Sequence, residues 1–342
     1  MDARTETNGE DALTTVDMHT GGEPVRIVTG GYPPIPGATI LDKRRHARDH
    51  LDHLRRRLMF EPRGHFDMYG VIPVAPDLPE ADLAVLFMHN EGYSTMCGHA
   101  VIAVGRWAVD SGLVAAHAPE TTVNIQCPCG LVRAHVAVSE GRAGAVRFES
   151  VPAFAFALDQ EVAVDGHDGA VRLDVGYGGA FYALLDAAVF GLDVRHSPTR
   201  ALVDAADAVT RAVKAHLPLR HPDDADLAFL YGTILTDGGD GAAAPSANIC
   251  VFADRQVDRS ATGSGVTARI ACLRARDGLA LGETRRFESV TGDVFTGRAL
   301  SDRRVGAFEA VTVEVAGRAY YSGRARFTVE ADDPLKDGFL LR

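Results

Sequence analysis

Short apolar runs alternate with longer amphipathic segments along this chain. After position 97, apolar residues recur at helical spacing while Arg106 and Asp110 fall outside the stripe, which predicts an amphipathic helix from residue 98 to about 110. Segments 41–60 and 199–217 share this period and are predicted to be exposed amphipathic helices. Runs rich in β-branched and aromatic residues predict strands or strand pairs at 123–138, 144–151, 181–190, 247–253 and 304–317. The alternation indicates an α/β (α+β) fold.

The two halves of the sequence resemble each other. The pattern Asp-x-x-x-Gly-Gly begins at Asp17 and again at Asp174, 157 positions later. Cys97-Gly before the first helical run corresponds to Thr262-Gly before another helical run, 165 positions later. Two matches in the same order and at nearly one offset indicate an ancient duplication. We therefore expect two pseudo-symmetric domains with the active site in the cleft between them.

The repeat also sets the expected domain bounds. Residues 1–14 are expected to be a disordered lead-in, and residues 15–150 the first α/β half, which carries Cys97. Residues 151–324 are expected to form the second α/β half, which carries Thr262. A C-terminal strand, about 325–342, is expected to return and join the first half.

Cys97 lies directly in front of a predicted helix, where the electrostatics are unusual. The first backbone N–H groups of a helix have no partner within it, and the helix dipole adds roughly half a positive charge there. The sequence therefore predicts a lowered thiol pKa for Cys97 and a carboxylate site at the N–H groups of Gly98 and His99. A thiolate beside a bound carboxylate suits the removal of an α-proton. The alternative is a buried cysteine that merely starts a helix.

Composition narrows the class of protein. The chain has 342 residues, of which 46% are hydrophobic and 24% charged, as expected of a globular protein with two ordinary domains. A net charge of −11 argues against nucleic acid as a partner, and no apolar run is long enough to span a membrane. The N-terminal segment lacks the pattern of a secretory signal, and the five cysteines are sparse and odd in number. A cytoplasmic protein with reduced thiols is therefore expected.

Three further patterns are set aside. Cys127 and Cys129 form a lone Cys-x-Cys without a second ligand pair, so a β-strand element is favoured over redox chemistry and no metal is expected. The paired glycines do not open a nucleotide-binding fingerprint, so no cofactor is expected. Six basic residues are interpreted as a solvated helix face: Lys43, Arg44, Arg45, Arg55, Arg56 and Arg57.

Four motifs together resemble the proline racemase family. They are MCGHA at 96–100, Asp-Arg-Ser-x-x-Gly-x-Gly at 258–265, YGGAFYA at 177–183 and FEPRGHFDMYG at 60–70. The resemblance runs from about Thr15 to the C-terminus. It implies the proline racemase and diaminopimelate epimerase-like fold of two pseudo-symmetric domains. Members of this fold are often dimers, so the resemblance also implies a homodimer.

The resemblance implies roles for individual residues. Cys97 would be the proton acceptor, and Asp258 would contact the amine of the substrate. The anion-binding positions of the family fall on Gly98, His99, Gly263 and Ser264. Racemases and epimerases of the family carry a second cysteine at the start of the second helix, where this sequence has Thr262. Another departure is Ala261, where the family usually has proline, and this loosens a loop.

Thr262 changes the reaction that is expected. An alcohol has a pKa far above that of a thiol, so threonine is a poor proton donor or acceptor near neutral pH. With one competent base, the carbanion-like intermediate is not reprotonated from the other face, and a C3 hydroxyl can leave as water instead. The sequence most resembles the branch of the family that dehydrates trans-3-hydroxy-L-proline. This implies a cofactor-independent hydro-lyase that forms Δ1-pyrroline-2-carboxylate.

Stereochemistry assigns the remaining roles. In trans-3-hydroxy-L-proline the leaving hydroxyl is on the same ring face as the α-hydrogen, so Cys97 or His99 is expected to help protonate it. Thr262 is expected to lie on the other face, where it shapes the pocket and transfers no proton. Two alternatives stay open: a racemase or epimerase acting on proline or 4-hydroxyproline, and a non-catalytic amino-acid-binding protein. Thr262 argues against the first alternative, and the combination of Cys97 with Asp258 argues against the second.

Overall fold

The computed structural model describes residues 12–341. Residues 1–11 of the predicted lead-in therefore lie outside the described residues. The last residues of that segment were assigned wrongly, because Leu13 already begins the first strand and pairs with Phe327. Within the described range, none of the helices has the length and apolar character needed to cross a membrane.

The mixed α/β fold that the sequence predicts is confirmed, but helices and strands do not alternate regularly, because residues 120–186 and 284–327 form strands without an α-helix between them. The helices are α1 (Ile40–His50), α2 (Asp52–Met59), α3 (Gly98–Asp110), α4 (Thr199–His216) and α5 (Gly263–Asp277). The strands of the first part are β1 (Leu13–Thr20), β2 (Glu23–Gly30), β3 (Tyr69–Val74), β4 (Leu83–His89), β5 (Tyr93–Ser94), β6 (Glu120–Cys127), β7 (Gly130–Ser139) and β8 (Arg142–Glu149). The remaining strands are β9 (Ala153–Ala163), β10 (Ala170–Tyr177), β11 (Phe181–Asp186), β12 (Leu230–Thr236), β13 (Ser246–Phe252), β14 (Gln256–Asp258), β15 (Thr284–Glu288), β16 (Val294–Val305), β17 (Phe308–Gly317) and β18 (Ala319–Phe327).

The two halves repeat one order of strand pairings. In the first half, β1 and β2 form an antiparallel hairpin, β2 runs parallel to β3, and β4 runs parallel to β6. In the second half, β10 and β11 form the hairpin, β11 runs parallel to β12, and β13 runs parallel to β15. The paired glycines of the sequence repeat occupy the turn of each hairpin, where Gly22 and Gly179 have φ of 88° and 93°. The predicted pseudo-symmetry is confirmed.

Each half encloses one helix. Strands β1, β6, β7, β8 and β18 surround α3, while β9, β10, β16 and β17 pack on α5. Besides the predicted stripe, Ile102, Ala103 and Val109 on the other sides of α3 are buried. The amphipathic pattern predicted for α3 is therefore incomplete, because a helix with strands on several sides needs apolar residues on more than one face.

The N-terminal ends of α3 and α5 meet between the two halves. A Cβ atom on Gly98 would lie 2.5 Å from the Cα of Gly263, and a Cβ on Gly263 would lie 2.8 Å from the Cα of Gly98. The two backbones therefore touch with no side chain between them, which glycine alone permits. This contact fixes the separation of the residues that precede the two helices, Cys97 and Thr262.

The basic segment between residues 43 and 57 is not the solvated face that was predicted. It forms α1 and α2, and the side chains of Lys43 and Arg55 are buried. Arg55 donates a hydrogen bond of 2.7 Å to the carbonyl of His89, and Lys43 Nζ donates one of 2.7 Å to the carbonyl of Ala75. These long side chains pack their apolar stems and use their charged ends to bind backbone carbonyls. They attach the helix pair to the first half.

The strand that returns to the first half lies earlier than predicted. β18 covers Ala319–Phe327 and pairs antiparallel with β1, so that Phe327 faces Leu13 and Ala319 faces Thr20. Beyond 327 the chain turns and forms one isolated bridge, between Phe339 and Glu61. The predicted span of 325–342 is too late because β1 begins at Leu13 and offers no partner to later residues. The division near residues 150–151 falls in the connection between β8 and β9 and stays a prediction.

Gly98→Ala tests the contact between the two helix ends. The added methyl group overlaps the backbone of Gly263, so we expect the free energy of unfolding to fall by about 1–3 kcal/mol. Gly92→Ala is the matched control because a Cβ there meets nothing within 4 Å, and it should change stability by less than about 0.5 kcal/mol. Urea denaturation measures both variants. Equal stability of the two variants would contradict the close approach.

Candidate active site

One cavity between the two halves contains every residue that the sequence predicts for the site. These seven residues are Cys97, Gly98, His99, Asp258, Thr262, Gly263 and Ser264. Five further residues complete the lining: Tyr69, Met96, Tyr182, Tyr231 and Phe252. All twelve are buried. The cavity thus joins the starts of both enclosed helices to an aromatic wall.

Two tyrosines of the aromatic wall belong to a repeated Tyr-Gly pattern in the sequence. Tyr69-Gly70 lies at the start of β3 and Tyr231-Gly232 lies at the start of β12, which are equivalent strands of the two halves. The two tyrosines are 162 positions apart, an offset between the two found for the other repeat matches. A third repeat match would therefore have identified them.

Cys97 and Thr262 occupy equivalent positions with different backbone conformations. Cys97 precedes α3 with extended backbone, φ −149° and ψ 105°. Thr262 precedes α5 in the left-handed region, with φ 62° and ψ 86°. The N–H groups of the first helical turns face the space between them, since such groups lack partners within the helix. Both helix dipoles place partial positive charge there, so the arrangement suits an anion.

A chain of local hydrogen bonds holds the segment before α5. The amide of Ser260 donates to Oδ1 of Asp258 at 2.7 Å, and the amide of Thr262 donates to Oγ of Ser260 at 3.1 Å. Short polar side chains that bond to the backbone two residues onward stabilise such turns. The Asp-Arg-Ser-x-x motif therefore places the carboxylate of Asp258 and the hydroxyl of Thr262 in the same cavity.

Asp258 faces residues of the first half. Its Oδ2 lies 3.9 Å from Nδ1 of His99, and this Nδ1 lies 3.1 Å from Sγ of Cys97. Burial lowers the pKa of His99, although the charge of Asp258 opposes this shift. The imidazole is therefore neutral near pH 7, and the buried negative charge of Asp258 faces the cavity without a full positive charge beside it.

The thiol pKa predicted for Cys97 is wrong in direction. Burial raises the pKa of Cys97 well above its ordinary value, and the negative charge of Asp258 raises it further. The Ala100 amide at the helix start and the Tyr69 hydroxyl lower it, and each of these effects is smaller than that of burial or of Asp258. Loss of hydration thus outweighs the helix terminus, because the sulfur is enclosed and faces a carboxylate. The free protein holds a thiol at this position near neutral pH.

A second set of charged residues, which the sequence analysis missed, joins the two halves beside the cavity. Glu23 accepts a hydrogen bond of 2.7 Å from the Arg259 amide, and Asp67 accepts one of 3.1 Å from the Val257 amide. The Arg259 guanidinium pairs with Asp67 at 2.8 Å. Burial and the nearby Asp258 raise the pKa of Glu23 well above its usual range. Carboxyl groups of the first half therefore hold the strand that carries Asp258.

The Cys-Pro-Cys segment lies outside the cavity lining. Cys127 ends β6 and is buried, while Cys129 is half-buried in the turn before β7. Neither thiol forms a disulfide. Among residues 12–341, no cluster of three or more histidine, cysteine, aspartate or glutamate side chains has a geometry that would hold a metal ion.

Fold and site together match a known class of protein. The family model described as Proline racemase matches residues 15–340, nearly the whole chain. The chain belongs to the proline racemase family.

The names of individual relatives describe a narrower activity than the name of the family does. The chain is 60% identical over 340 residues to a protein from Homo sapiens named trans-3-hydroxy-L-proline dehydratase, covering 98% of this chain and 96% of that protein. It is 61% identical over 333 residues to trans-L-3-hydroxyproline dehydratase of Xenopus tropicalis, covering 96% and 95%. A crystal structure of a hydroxyproline epimerase from Agrobacterium vitis, with bound trans-4-OH-L-proline, matches with a TM-score of 0.90 at 28% identity, covering 97% and 96%.

Asp258→Asn tests the electrostatic control of Cys97. The change removes a negative charge that raises the Cys97 pKa, so the thiolate fraction at a given pH should increase. We expect faster alkylation of the free protein by iodoacetamide and a lower midpoint of the rate–pH profile from about pH 7 to 10. Mass spectrometry of the peptide containing Cys97 gives the rate.

Asp17→Asn is the control for this experiment. Asp17 pairs with Arg26 at 2.8 Å and does not line the cavity. Alkylation of Cys97 in this variant should follow the profile of the unmodified protein. An unchanged or higher midpoint in Asp258→Asn would contradict the electrostatic effect assigned to Asp258.

Proposed function

We propose that this protein is a trans-3-hydroxy-L-proline dehydratase, a cofactor-independent hydro-lyase that forms Δ1-pyrroline-2-carboxylate. One observation carries the proposal: of two opposed helix starts in one cavity, one presents the thiol of Cys97 and the other presents the hydroxyl of Thr262. Identity of about 60% to proteins named for this activity supports it. The substrate is a small imino acid.

Substrate binding follows from the charges of the cavity. The carboxylate of the imino acid would lie between the helix starts, where the amides of four residues donate to it: Gly98, His99, Gly263 and Ser264. The ring ammonium would pair with the buried carboxylate of Asp258. Each charge on the zwitterion thus meets an opposite charge or dipole, and the α-carbon is held between Cys97 and Thr262.

Binding of the ammonium also activates Cys97. Together with burial, the negative charge of Asp258 raises the Cys97 pKa, and a bound cation offsets this charge. The thiolate fraction therefore rises when the substrate is in place. The thiolate then removes the α-proton, and the amides that hold the carboxylate stabilise the negative charge that develops on it.

The fate of the electron pair decides the product. Reprotonation from the opposite face would require an acid at position 262, and an alcohol is too weak an acid to supply the proton quickly. The electron pair of the C2–H bond instead forms the C2=C3 bond while the C3–O bond breaks. The hydroxyl leaves as water, and the enamine tautomerises to the ring imine.

Two other functions remain to be compared with this one. A proline racemase or hydroxyproline 2-epimerase is supported by the likeness to the Agrobacterium vitis structure, and it is opposed by Thr262. A non-catalytic amino-acid-binding protein would need neither Cys97 nor a base. Incubation with trans-3-hydroxy-L-proline, L-proline or trans-4-hydroxy-L-proline, without added cofactor, separates the three. Ring imine, inversion of the α-carbon and absence of reaction are the respective outcomes. A homodimer and a cytoplasmic location stay predictions.

Cys97→Ser is expected to remove dehydratase activity while preserving the fold. A serine hydroxyl is a far weaker base than a thiolate near neutral pH, so kcat should fall by more than about 100-fold. Iodoacetamide should inactivate the unmodified protein, and substrate should protect it. The control is Cys129→Ser, which exchanges the same atom at a half-buried thiol outside the cavity and should stay active. Substantial activity in Cys97→Ser would exclude Cys97 as the base.

Thr262→Cys is expected to create epimerase or racemase activity on proline-type substrates. The burial that raises the thiol pKa at Cys97 should also keep a thiol at position 262 protonated and able to donate. In heavy water, the variant should deliver deuterium to the α-carbon of L-proline with inversion. Chiral chromatography and mass spectrometry of the product measure inversion and deuterium content. Thr262→Ser keeps a hydroxyl and should not invert. A folded, substrate-binding Thr262→Cys that never inverts would overturn the one-base explanation.

A further inference from the structure

Tyr69 lies in the cavity beside Cys97 with its hydroxyl in a hydrogen-bond network. It begins β3 and is 1% exposed. Its hydroxyl is 2.5 Å from Oγ of Ser94, a residue that is fully buried. Its ring meets the His99 imidazole edge-on, with ring centroids 4.9 Å apart. The same hydroxyl lies close enough to the sulfur of Cys97 to lower its pKa.

A packing role does not account for this phenol. Phenylalanine would fill the same volume, whereas a buried hydroxyl must be paired or it destabilises the fold. A hydroxyl can donate one hydrogen bond and accept two. Ser94 is one partner, and hydrogen bonds with Tyr231 and Cys97 also act on this hydroxyl, so it joins the sulfur to the aromatic wall of the cavity that Tyr69 lines. Burial also raises the pKa of Tyr69 well above its ordinary value, so the phenol stays protonated and available as a donor.

Stereochemistry places the leaving group on this side of the cavity. In trans-3-hydroxy-L-proline the C3 hydroxyl and the α-hydrogen are on the same ring face. If Cys97 removes the α-hydrogen, the C3 oxygen also faces the side that holds Cys97 and Tyr69. On the side of Thr262, the other tyrosine–serine pair joins Tyr182 and Ser264 at 2.7 Å, and the C3 oxygen of a ring held in this way would point away from that side.

His99 is the other candidate for protonating the leaving group, and its position disfavours it. Its Nδ1 lies 3.1 Å from Cys97 Sγ and 3.9 Å from Asp258 Oδ2. Because Asp258 is proposed to hold the ring ammonium, the imidazole lies toward the nitrogen of the ring. The nitrogen and C3 are bonded to opposite sides of the α-carbon. A group near the nitrogen is therefore badly placed to reach the C3 oxygen.

We propose that Tyr69 is a catalytic residue whose hydroxyl binds the C3 oxygen of the substrate and protonates it as it leaves. This inference rests on the proposed dehydratase function. The α-proton moves to Cys97 Sγ, and the electron pair of the C2–H bond forms the C2=C3 bond. The C3–O electron pair stays on oxygen, which takes the phenol proton. Tyr69 regains a proton from the Cys97 thiol, so water leaves and both side chains return to their starting states without a further reactant.

Tyr69→Phe distinguishes protonation of the leaving group from removal of the α-proton by Cys97. Three reactions can be compared, because they share the removal of the α-proton but differ in how much the leaving group must be protonated. Dehydration of trans-3-hydroxy-L-proline requires protonation of the leaving oxygen, and its kcat should fall about 100-fold. Elimination of fluoride from trans-3-fluoro-L-proline needs less assistance, since fluoride is a much weaker base than hydroxide. Exchange of the α-hydrogen of L-proline in heavy water has no leaving group. Tyr69 also lowers the pKa of Cys97, so fluoride release and exchange should both slow by one common factor, and this factor should be far smaller than the loss of dehydration.

Tyr177→Phe is the matched control. It removes the hydroxyl of a tyrosine that is 1% exposed and lies outside the cavity lining, and all three reactions should continue at their ordinary rates. Unimpaired dehydration in Tyr69→Phe would overturn the proposal. A parallel loss of α-hydrogen exchange would also overturn it, since Tyr69 would then serve Cys97 and not the leaving group. If the unmodified protein itself forms no imine, the dehydratase function fails, and this outcome is distinct from the other two.

Discussion

The direct contact between the first residues of α3 and α5 is the constraint on which the site depends. Two helix N-termini each carry roughly half a positive charge, and the contact of Gly98 with Gly263 brings these ends together inside the protein. Like charges in a poorly hydrated space repel each other. Anionic groups nearby compensate for that repulsion: Asp258 lies in the cavity, and a bound carboxylate would complete the compensation. The geometry that suits the site to an anion would therefore also make the joined halves dependent on negative charge.

Charge at the site also determines how the protonation state of Cys97 differs between the free protein and the protein with a bound ligand. Burial and the carboxylate of Asp258 both favour the neutral thiol of Cys97. A ligand with an ammonium group next to its carboxylate relieves the second of these effects, and it does so only when its α-carbon lies beside the sulfur. In the proposed reaction, selectivity for amino acids and activation of Cys97 as the base would thus have one electrostatic origin. A simple carboxylic acid would occupy the helix starts without producing the base.

Motif spacing and helix periodicity predicted the duplication and the helices that follow Cys97 and Thr262, because both are local properties of the sequence. The resemblance to the proline racemase family supplied the roles of Asp258, Gly263 and Ser264. Predictions from the sequence were wrong where a property depends on contacts between residues that are distant along the chain. The helix terminus at Cys97 indicated a lowered pKa, but the enclosing strands and Asp258 reverse the direction. Lys43 and Arg55 belong to a strongly basic segment, yet they bind backbone carbonyls in the interior. Glu23 and Asp67 had no local signal, since their partners are more than a hundred residues away.

The left-handed backbone of Thr262 affects which residue is most stable at this position. A β-branched residue with φ near 62° holds an unfavourable conformation, and such residues cost about 1–3 kcal/mol each. Cysteine, with a single heavy atom on its Cβ, would carry less of this strain. Stability alone would therefore drive mutational drift at this position away from threonine. Threonine at this position therefore carries a conformational penalty that cysteine would carry to a lesser extent, so stability alone favours the residue that would invert a carbon centre over the one that would leave the C–O bond to break.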